Sequence, residues 1–334
     1  MRKLLTLLVM VFTATLFFAC SDGCSCSSKT PCNHECKPCD KPCNCSTTDP
    51  YAITSVADLQ NLATAVNNGN DFAGKTIRLM NNLNLSSIAN WTPIGTENNR
   101  FKGTFDGQNH TISGLTINRP TADHQGLFGF TDDAKFLNIK IFDASVIGGN
   151  FVGTLVGRGD YGTVIKNSSA KDVSVEAKGT RAGGLAGQVL KEGRMENCFV
   201  DGAVVKSGGH VSGGLLGTLA NNSILSNSYA INVEVIGGGD NCGVLVGDLG
   251  AGQILNSYAI GSVKTPSNQV DGLAYRSAGA SSQITNSFHS TTVNGTQRGL
   301  ELSEMKDQET FVGWDFDKIW DISPDKNGGF PTLR

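Results

Sequence analysis

Proline and aromatic residues are both scarce in this sequence, with nine prolines in 334 residues and rings at only 7% of positions. Set against forty-one glycines, that scarcity points to many tight turns and little long helix. Basic clusters are absent, and the formal charge is −3, so the electrostatic footprint of a nucleic-acid binder is missing and such a partner is set aside. Histidines number five and are scattered, and no Ser-His-Asp arrangement, phosphate loop or dinucleotide fingerprint is readable. What remains is ordinary: 39% apolar and 17% charged residues are enough for a sizeable core and too apolar for wholesale disorder.

The first twenty residues read as a targeting segment. Arg2 and Lys3 precede an uncharged apolar run from Leu4 to Phe18 that is too short to span a bilayer comfortably. The run ends at Ala19 and Cys20, and the stretch "LFFAC" resembles a bacterial lipobox. That resemblance implies cleavage after residue 19, lipidation of Cys20 and anchoring to a membrane by acyl chains. Ser21 is unlike the aspartate that retains such proteins at the inner membrane in enterobacteria, so the expected address is the outer membrane and the cell surface.

Residues 20–50 are almost devoid of large apolar side chains and form no core of their own. Seven cysteines besides Cys20 crowd into this stretch: Cys24, Cys26, Cys32, Cys36, Cys39, Cys43 and Cys45. The expectation is a flexible tether with loosely specified disulfides; a small disulfide knot is the first alternative. Metal binding is the second, because Cys32, His34, Cys36 and Cys39 have spacings that zinc accepts.

From residue 125 onward the chain repeats itself. Asparagine recurs at Asn138, Asn167, Asn197, Asn227, Asn256 and Asn286, at spacings of 29, 30, 30, 29 and 30. A second column in step with it, Leu127, Leu155, Leu185, Leu215, Leu245 and Leu273, lies in a glycine-rich frame such as "GGLAG" and "GGLLG". A fixed period of this size marks one supersecondary unit that buries its apolar face by stacking on copies of itself. Apolar residues alternate at period two over short runs bounded by Gly, Asn, Ser and Asp, so the unit is built of strands. Three strands per repeat predict one coil of a right-handed parallel β-helix, an all-β solenoid of about seven or eight coils and roughly 35 Å. In such a stack an asparagine column passes amide hydrogen bonds along the axis. The column Phe199, Tyr229, Tyr258 and Phe288 is expected to stack ring on ring in the interior, with an outward strip for sugar stacking as the alternative.

The string "GGLLGTLANNSILSNSYAINVEV" resembles the GLUG repeat of bacterial surface proteins, including the N-terminal regions of zinc metallopeptidases that cleave immunoglobulin A. The resemblance covers about residues 100 to 295. It implies the scaffold alone, because those peptidases hold zinc on a separate HExxH helix, and "NHEC" at 33–36 lacks the second histidine.

Both ends of a solenoid need covers. Ser55 and Asp58 form a capping-box signature before "VADLQNLATAVNNG", where Leu59, Leu62, Ala63 and Val66 share one face, predicting a capping helix over 55–68. "FKGTFDGQNHTISGLTI" reads as strand, turn at Asp106 and Gly107, strand. Trp314, Phe316 and Trp320 are expected to plug the far end. The resulting layout is a leader over 1–19, the tether to 50, cap and first coils over 51–100, repeats over 101–298 and a C-terminal cap over 299–334.

Candidate chemistry is sparse. Arg158, Gly159 and Asp160 spell the integrin-recognition tripeptide in "VGRGDYG", where a Gly-flanked turn would display it, or simply a polar turn. Cys198 and Cys242 occupy different columns and read as buried small residues, not a disulfide pair. Asp132, Asp133, Asp143 and Asp160 are present, yet no carboxylate column that would pair an acid with a base is expected. "GGGDNCG" departs from the calcium-binding GGxGxD series. The reading is therefore a non-catalytic adhesin or interaction module for a host, matrix or glycan ligand. A polysaccharide-active enzyme and a passive stalk are the alternatives.

Overall fold

The computed structural model describes residues 51–266, 270–276, 281–290 and 299–334. The leader, Cys20 and the tether with Cys32, His34, Cys36 and Cys39 lie outside the described residues. The rest is a parallel β-solenoid of about eight turns with a single α-helix among the described residues.

One coil shows the plan. Val164–Lys166 forms a three-residue strand, Ser169–Ala177 a nine-residue strand, and Ala182–Gly183 and Ala186–Val189 two shorter ones. The two-residue strand is a fourth element beyond the three read from the pattern. Each pairs in parallel with its counterpart in the next coil, as in Ile165 with Met195 and Val175 with Val205. The coils thus assemble two nine-stranded sheets that run the length of the stack, with sheets of six and four strands over part of it. The nine-residue strands end up side by side in one of these sheets, called here the long-strand sheet. Thr104–Asp106 and Thr111–Ser113 follow the same rule: they pair with the next coil and not with each other.

The leucine column is the spine of the core. Leu127, Leu155, Leu185, Leu215 and Leu245 are wholly buried, as are Ile165, Met195, Leu225 and Ile254. The glycine frame exists because the coils meet there. A Cβ on Gly183 would come within 3.0 Å of the Ala186 carbonyl oxygen and the Gly217 nitrogen, which are backbone atoms that cannot step aside.

The N-S-Y signature has three separate explanations. Each asparagine turns the corner between the short and long strands in the left-handed conformation, with φ between 45° and 55° from Asn138 to Asn286, a region asparagine tolerates better than most residues. The serine that follows points inward and stitches coils together: the amide of Ser228 donates to Ser257 Oγ at 3.1 Å, and that hydroxyl donates to Leu255 O at 2.8 Å. Cys198 takes the serine's place in its coil. It is buried and unbonded to another cysteine, with desolvation pushing its thiol up to about 12.

The aromatic column lies outside the coil, contrary to the expected interior placement. The left-handed corner shifts the alternation by one, so Ser168, Cys198 and Ser228 face in while Phe199, Tyr229 and Tyr258 face out. Phe199 and Tyr229 stack at 4.9 Å and 3°, Tyr229 and Tyr258 at 5.1 Å and 12°. Trp314, Phe316 and Trp320 do not plug the end of the stack. They lie laterally against this ladder, forming a second apolar cluster with Met305 and Phe311. Tyr258 Oη donates to Pro331 O at 2.7 Å, and Trp314 Nε1 to Asn286 O at 2.8 Å. Residues 299–334 are thus a strap along the side of the solenoid.

At the other end Val56–Asn67 (α1) begins with the expected capping box: Ser55 Oγ accepts from the Asp58 amide, and Asp58 Oδ2 accepts from the Ser55 amide. Its buried residues are Leu59, Leu62, Ala63 and Val66.

Candidate functional site

The nine-residue strands carry a kink that makes the outer surface concave. Asp143, Asp172, Gly202 and Asn232 all have positive φ, from 52° to 73°, so two successive side chains face outward and the strand bends there. Aspartate, glycine and asparagine are the residue types that accept this conformation. The column ends where the next coil lacks the extra residue, between Ile231 and Val233 opposite Ile260 and Gly261.

Beside the kink runs a groove of about 1060 Å³. Its wall is a register column of Thr116, Ser145, Ser174, Val204, Glu234 and Ser262. Five coil steps make it about 24 Å long. Asp143 and Asp172 are exposed along it, and Leu302 of the strap lines part of it. The hydroxyls and carboxylates of this wall, interrupted at Val204, can accept and donate hydrogen bonds along an extended chain. Asp143 and Asp172 also occupy one column in adjacent coils, which corrects the expectation that no carboxylates recur in a column. The signal was present in the sequence as residues that favour positive φ, not as repeated acids.

The tripeptide at residues 158–160 is not displayed at a turn. It ends the strand Val156–Asp160, and the Asp160 side chain is 2% exposed. Its carboxylate is held by Arg158 Nε at 3.0 Å and Lys191 Nζ at 3.2 Å, while the Arg158 guanidinium lies over Phe130 and Phe151. Both charged groups an integrin would need are occupied within the fold. Burial alone would raise the Asp160 pKa, but the Arg158 and Lys191 contacts outweigh it and hold the carboxyl below its ordinary value of 3.8. A carboxyl with a depressed folded pKa stabilises the fold above its unfolded pKa, and this is lost as pH falls through the folded value. Asp160→Asn is therefore expected to melt lower than the parent at pH 7, with the gap closing below about pH 4. Thermal melts across pH check this.

The asparagine column is a ladder over its first part. Asn138 Nδ2 donates to Asp106 Oδ1 at 3.0 Å, Asn167 Nδ2 to Asn138 Oδ1 at 3.1 Å, and Asn197 Nδ2 to Asn167 Oδ1 at 3.0 Å. It stops there: Asn197 Oδ1 is buried and receives no hydrogen bond. Among the described residues no cluster of three or more His, Cys, Asp or Glu side chains could hold a metal.

Fold and grooves define a parallel β-solenoid with extended outer grooves. No protein-family model matches the chain. "Halomucin" of Haloquadratum walsbyi is 35% identical over 153 residues, 41% of this chain and 2% of that protein. "Putative Gly-rich membrane protein" of Evansella cellulosilytica is 33% identical over 86 residues, 24% of this chain and 9% of that one. The aligned segments thus span less than a tenth of either relative. The crystal structure titled "a putative immunoglobulin A1 protease from Bacteroides ovatus" superposes with a TM-score of 0.53 at 19% identity, covering 85% of this chain and 92% of that one. This likeness establishes the shared fold.

Proposed function

We propose that this chain is a lipid-anchored surface β-solenoid of the GLUG-repeat kind, attached to the outer membrane through Cys20, whose long groove binds an extended glycan or matrix ligand without catalysis. The observation that carries the reading is the groove itself, a channel spanning six coils in register, with an apolar floor and polar side chains at Thr116, Ser145, Ser174, Glu234 and Ser262. The names of the relatives, a halomucin and a membrane protein, support a place at the cell surface or membrane, and the lipobox-like stretch supports the mode of attachment.

A second reading, cleavage of a polysaccharide, draws on Asp143 and Asp172. One coil apart is about 4.8 Å along the sheet, near the separation that paired carboxylates use in retaining glycosidases. A glycan and matrix-protein array with the mature protein, with and without calcium, separates the two. Binding without turnover is expected, and the double variant Asp143→Asn, Asp172→Asn should lose at least about tenfold in affinity. Asparagine suits positive φ, so this variant keeps the fold. Turnover of a polysaccharide would establish the enzyme instead, and silence on every surface would leave a stalk.

A further inference from the structure

The long groove lies between two columns of unlike chemistry. One is the hydroxyl-bearing column from Thr116 to Ser262; the other, set by the positive-φ kink, is Asp143, Asp172, Gly202 and Asn232. Between them Ala144, Val173, Ala203 and Val233 form the floor. The free charge in this groove is of one sign. Asp143 and Asp172 are exposed, and neither carboxylate forms a hydrogen bond or ion pair among the described residues. Glu234, the third acid, is answered by Lys264. Lys171, next to Asp172 in the chain, is turned instead to Asp201, 3.1 Å away. Among the described residues no lysine, arginine or histidine lines the groove. Gly202 leaves room for the second carboxylate: a Cβ there would lie 2.7 Å from Asp172 Oδ1, so that oxygen rests over the bare backbone of the following coil.

These features sort the ligands that an extended groove can take. An acidic or sulfated chain would bring like charge to two carboxylates that have no counter-ion. An extended peptide, even a lysine-rich one, gains most by pairing its backbone with a free strand edge. Here both edges of Lys140–Gly148, Ser169–Ala177, Phe199–Ser207 and Tyr229–Gly237 are already paired, coil to coil. A sugar chain needs no strand edge: its hydroxyls find partners among Thr116, Ser145, Ser174 and Ser262, and its C–H faces meet the apolar floor. Asp143 and Asp172 stand one coil step apart, about 4.8 Å along the sheet. A single ammonium between them can donate to both.

We propose that the ligand of the groove is a glycan with free amino groups, an amino sugar without its acyl cap, whose ammonium lies between Asp143 and Asp172 while its hydroxyls meet the opposite bank. This rests on the reading of the groove as a glycan site and adds the charge of the chain.

Isothermal titration of the mature protein in low salt, at about pH 6, tests it with four hexamers: glucosamine, N-acetylglucosamine, galacturonic acid and lysine. The glucosamine hexamer should bind at least about tenfold more tightly than each of the others, and about 0.5 M salt should remove most of that preference. Asp143→Asn, Asp172→Asn, in which asparagine keeps the positive φ, should bind the amine-bearing and acetylated hexamers alike. Hexalysine binding as tightly as the glucosamine hexamer would overturn the sugar, since charge alone would then suffice. A preference for the acetylated or the acidic hexamer, or a preference for the amine that persists in the folded double variant, would overturn the amino group and leave the groove a glycan site. Silence toward the glucosamine hexamer overturns the assignment too, and the glycan array then decides the broader reading by itself. The selectivity and salt dependence of the parent are read without any variant, so a double variant that fails to fold does not shield the assignment.

Discussion

Replacing Gly213 with alanine is expected to destabilise the solenoid by about 3 kcal/mol, at the upper end of what overpacking costs. The added Cβ would fall within 3.0 Å of Leu216 O and of Gly247 N, one atom in its own turn and one in the following coil. Neither belongs to a side chain that can rotate away. Nor can the turn move aside, because Gly214, Leu215 and Leu216 are all tied by their amides to the next coil, at Val244 O and Leu245 O. Gly250→Ala is the matching control: its Cβ would meet only the Ala220 Cβ, at 3.2 Å, and the end of the Asp248 side chain, so less than about 1 kcal/mol is expected. Thermal melts followed by far-ultraviolet circular dichroism compare the two. Equal melting of Gly213→Ala and parent would mean that the coils are not held as closely as described.

Tyr258→Ala is expected to cost about 3 to 5 kcal/mol and to release the strap before the coils unfold. Tyr258 is wholly buried, stacked on Tyr229 and in contact with Phe311, Trp314 and Trp320. Its hydroxyl donates to Pro331 O and accepts from Asn327 Nδ2 at 2.9 Å. Truncation leaves a void between coil and strap, and the strap's remaining contacts must hold it unaided. Brief proteolysis should then cut within 299–334 while the coils survive, and tryptophan emission should shift to the red. Tyr258→Phe keeps the ring, and Asn327 still donates to Pro331 O at 3.0 Å, so it should cost only about 1 kcal/mol. If the alanine variant resists cleavage as the parent does, the ladder is not what retains the strap.

Both outcomes turn on features of unequal legibility in the sequence. The period was plain, because two independent columns kept step, and buried leucines must recur when identical coils stack. The capping helix was plain for a local reason: Ser55, Asp58 and four apolar residues at helical spacing say enough by themselves. The side on which the rings lie was not. Counting by twos from Ile165 carries residues 167 and 169 inward, whereas a left-handed Asn167 resets the phase and turns the ring column out. The same cause hid Asp143 and Asp172, which share their column with Gly202 and Asn232, residues alike only in accepting positive φ. The strap was misplaced because its tryptophans seek apolar surface, and once the ladder faces outward the larger apolar surface is on the flank. Residues 158–160 misled through their letters, since burial of Asp160 is set by Arg158 and by Lys191 in the following coil.

The central claim is that corresponding residues of successive repeats sit above one another on one axis, which creates the ladders and the grooves alike. Lys135, Arg194 and Gln283 belong to a single outward column, with Gln283 five coils from Lys135 and three from Arg194. Nitroxide labels on cysteines at these positions, read by pulsed dipolar spectroscopy, measure the stack directly. The expected backbone separations are about 24 Å for 135 to 283 and about 14 Å for 194 to 283, growing by about 4.8 Å per coil. Separations that fail to grow with coil number would contradict the stack and the grooves built on it.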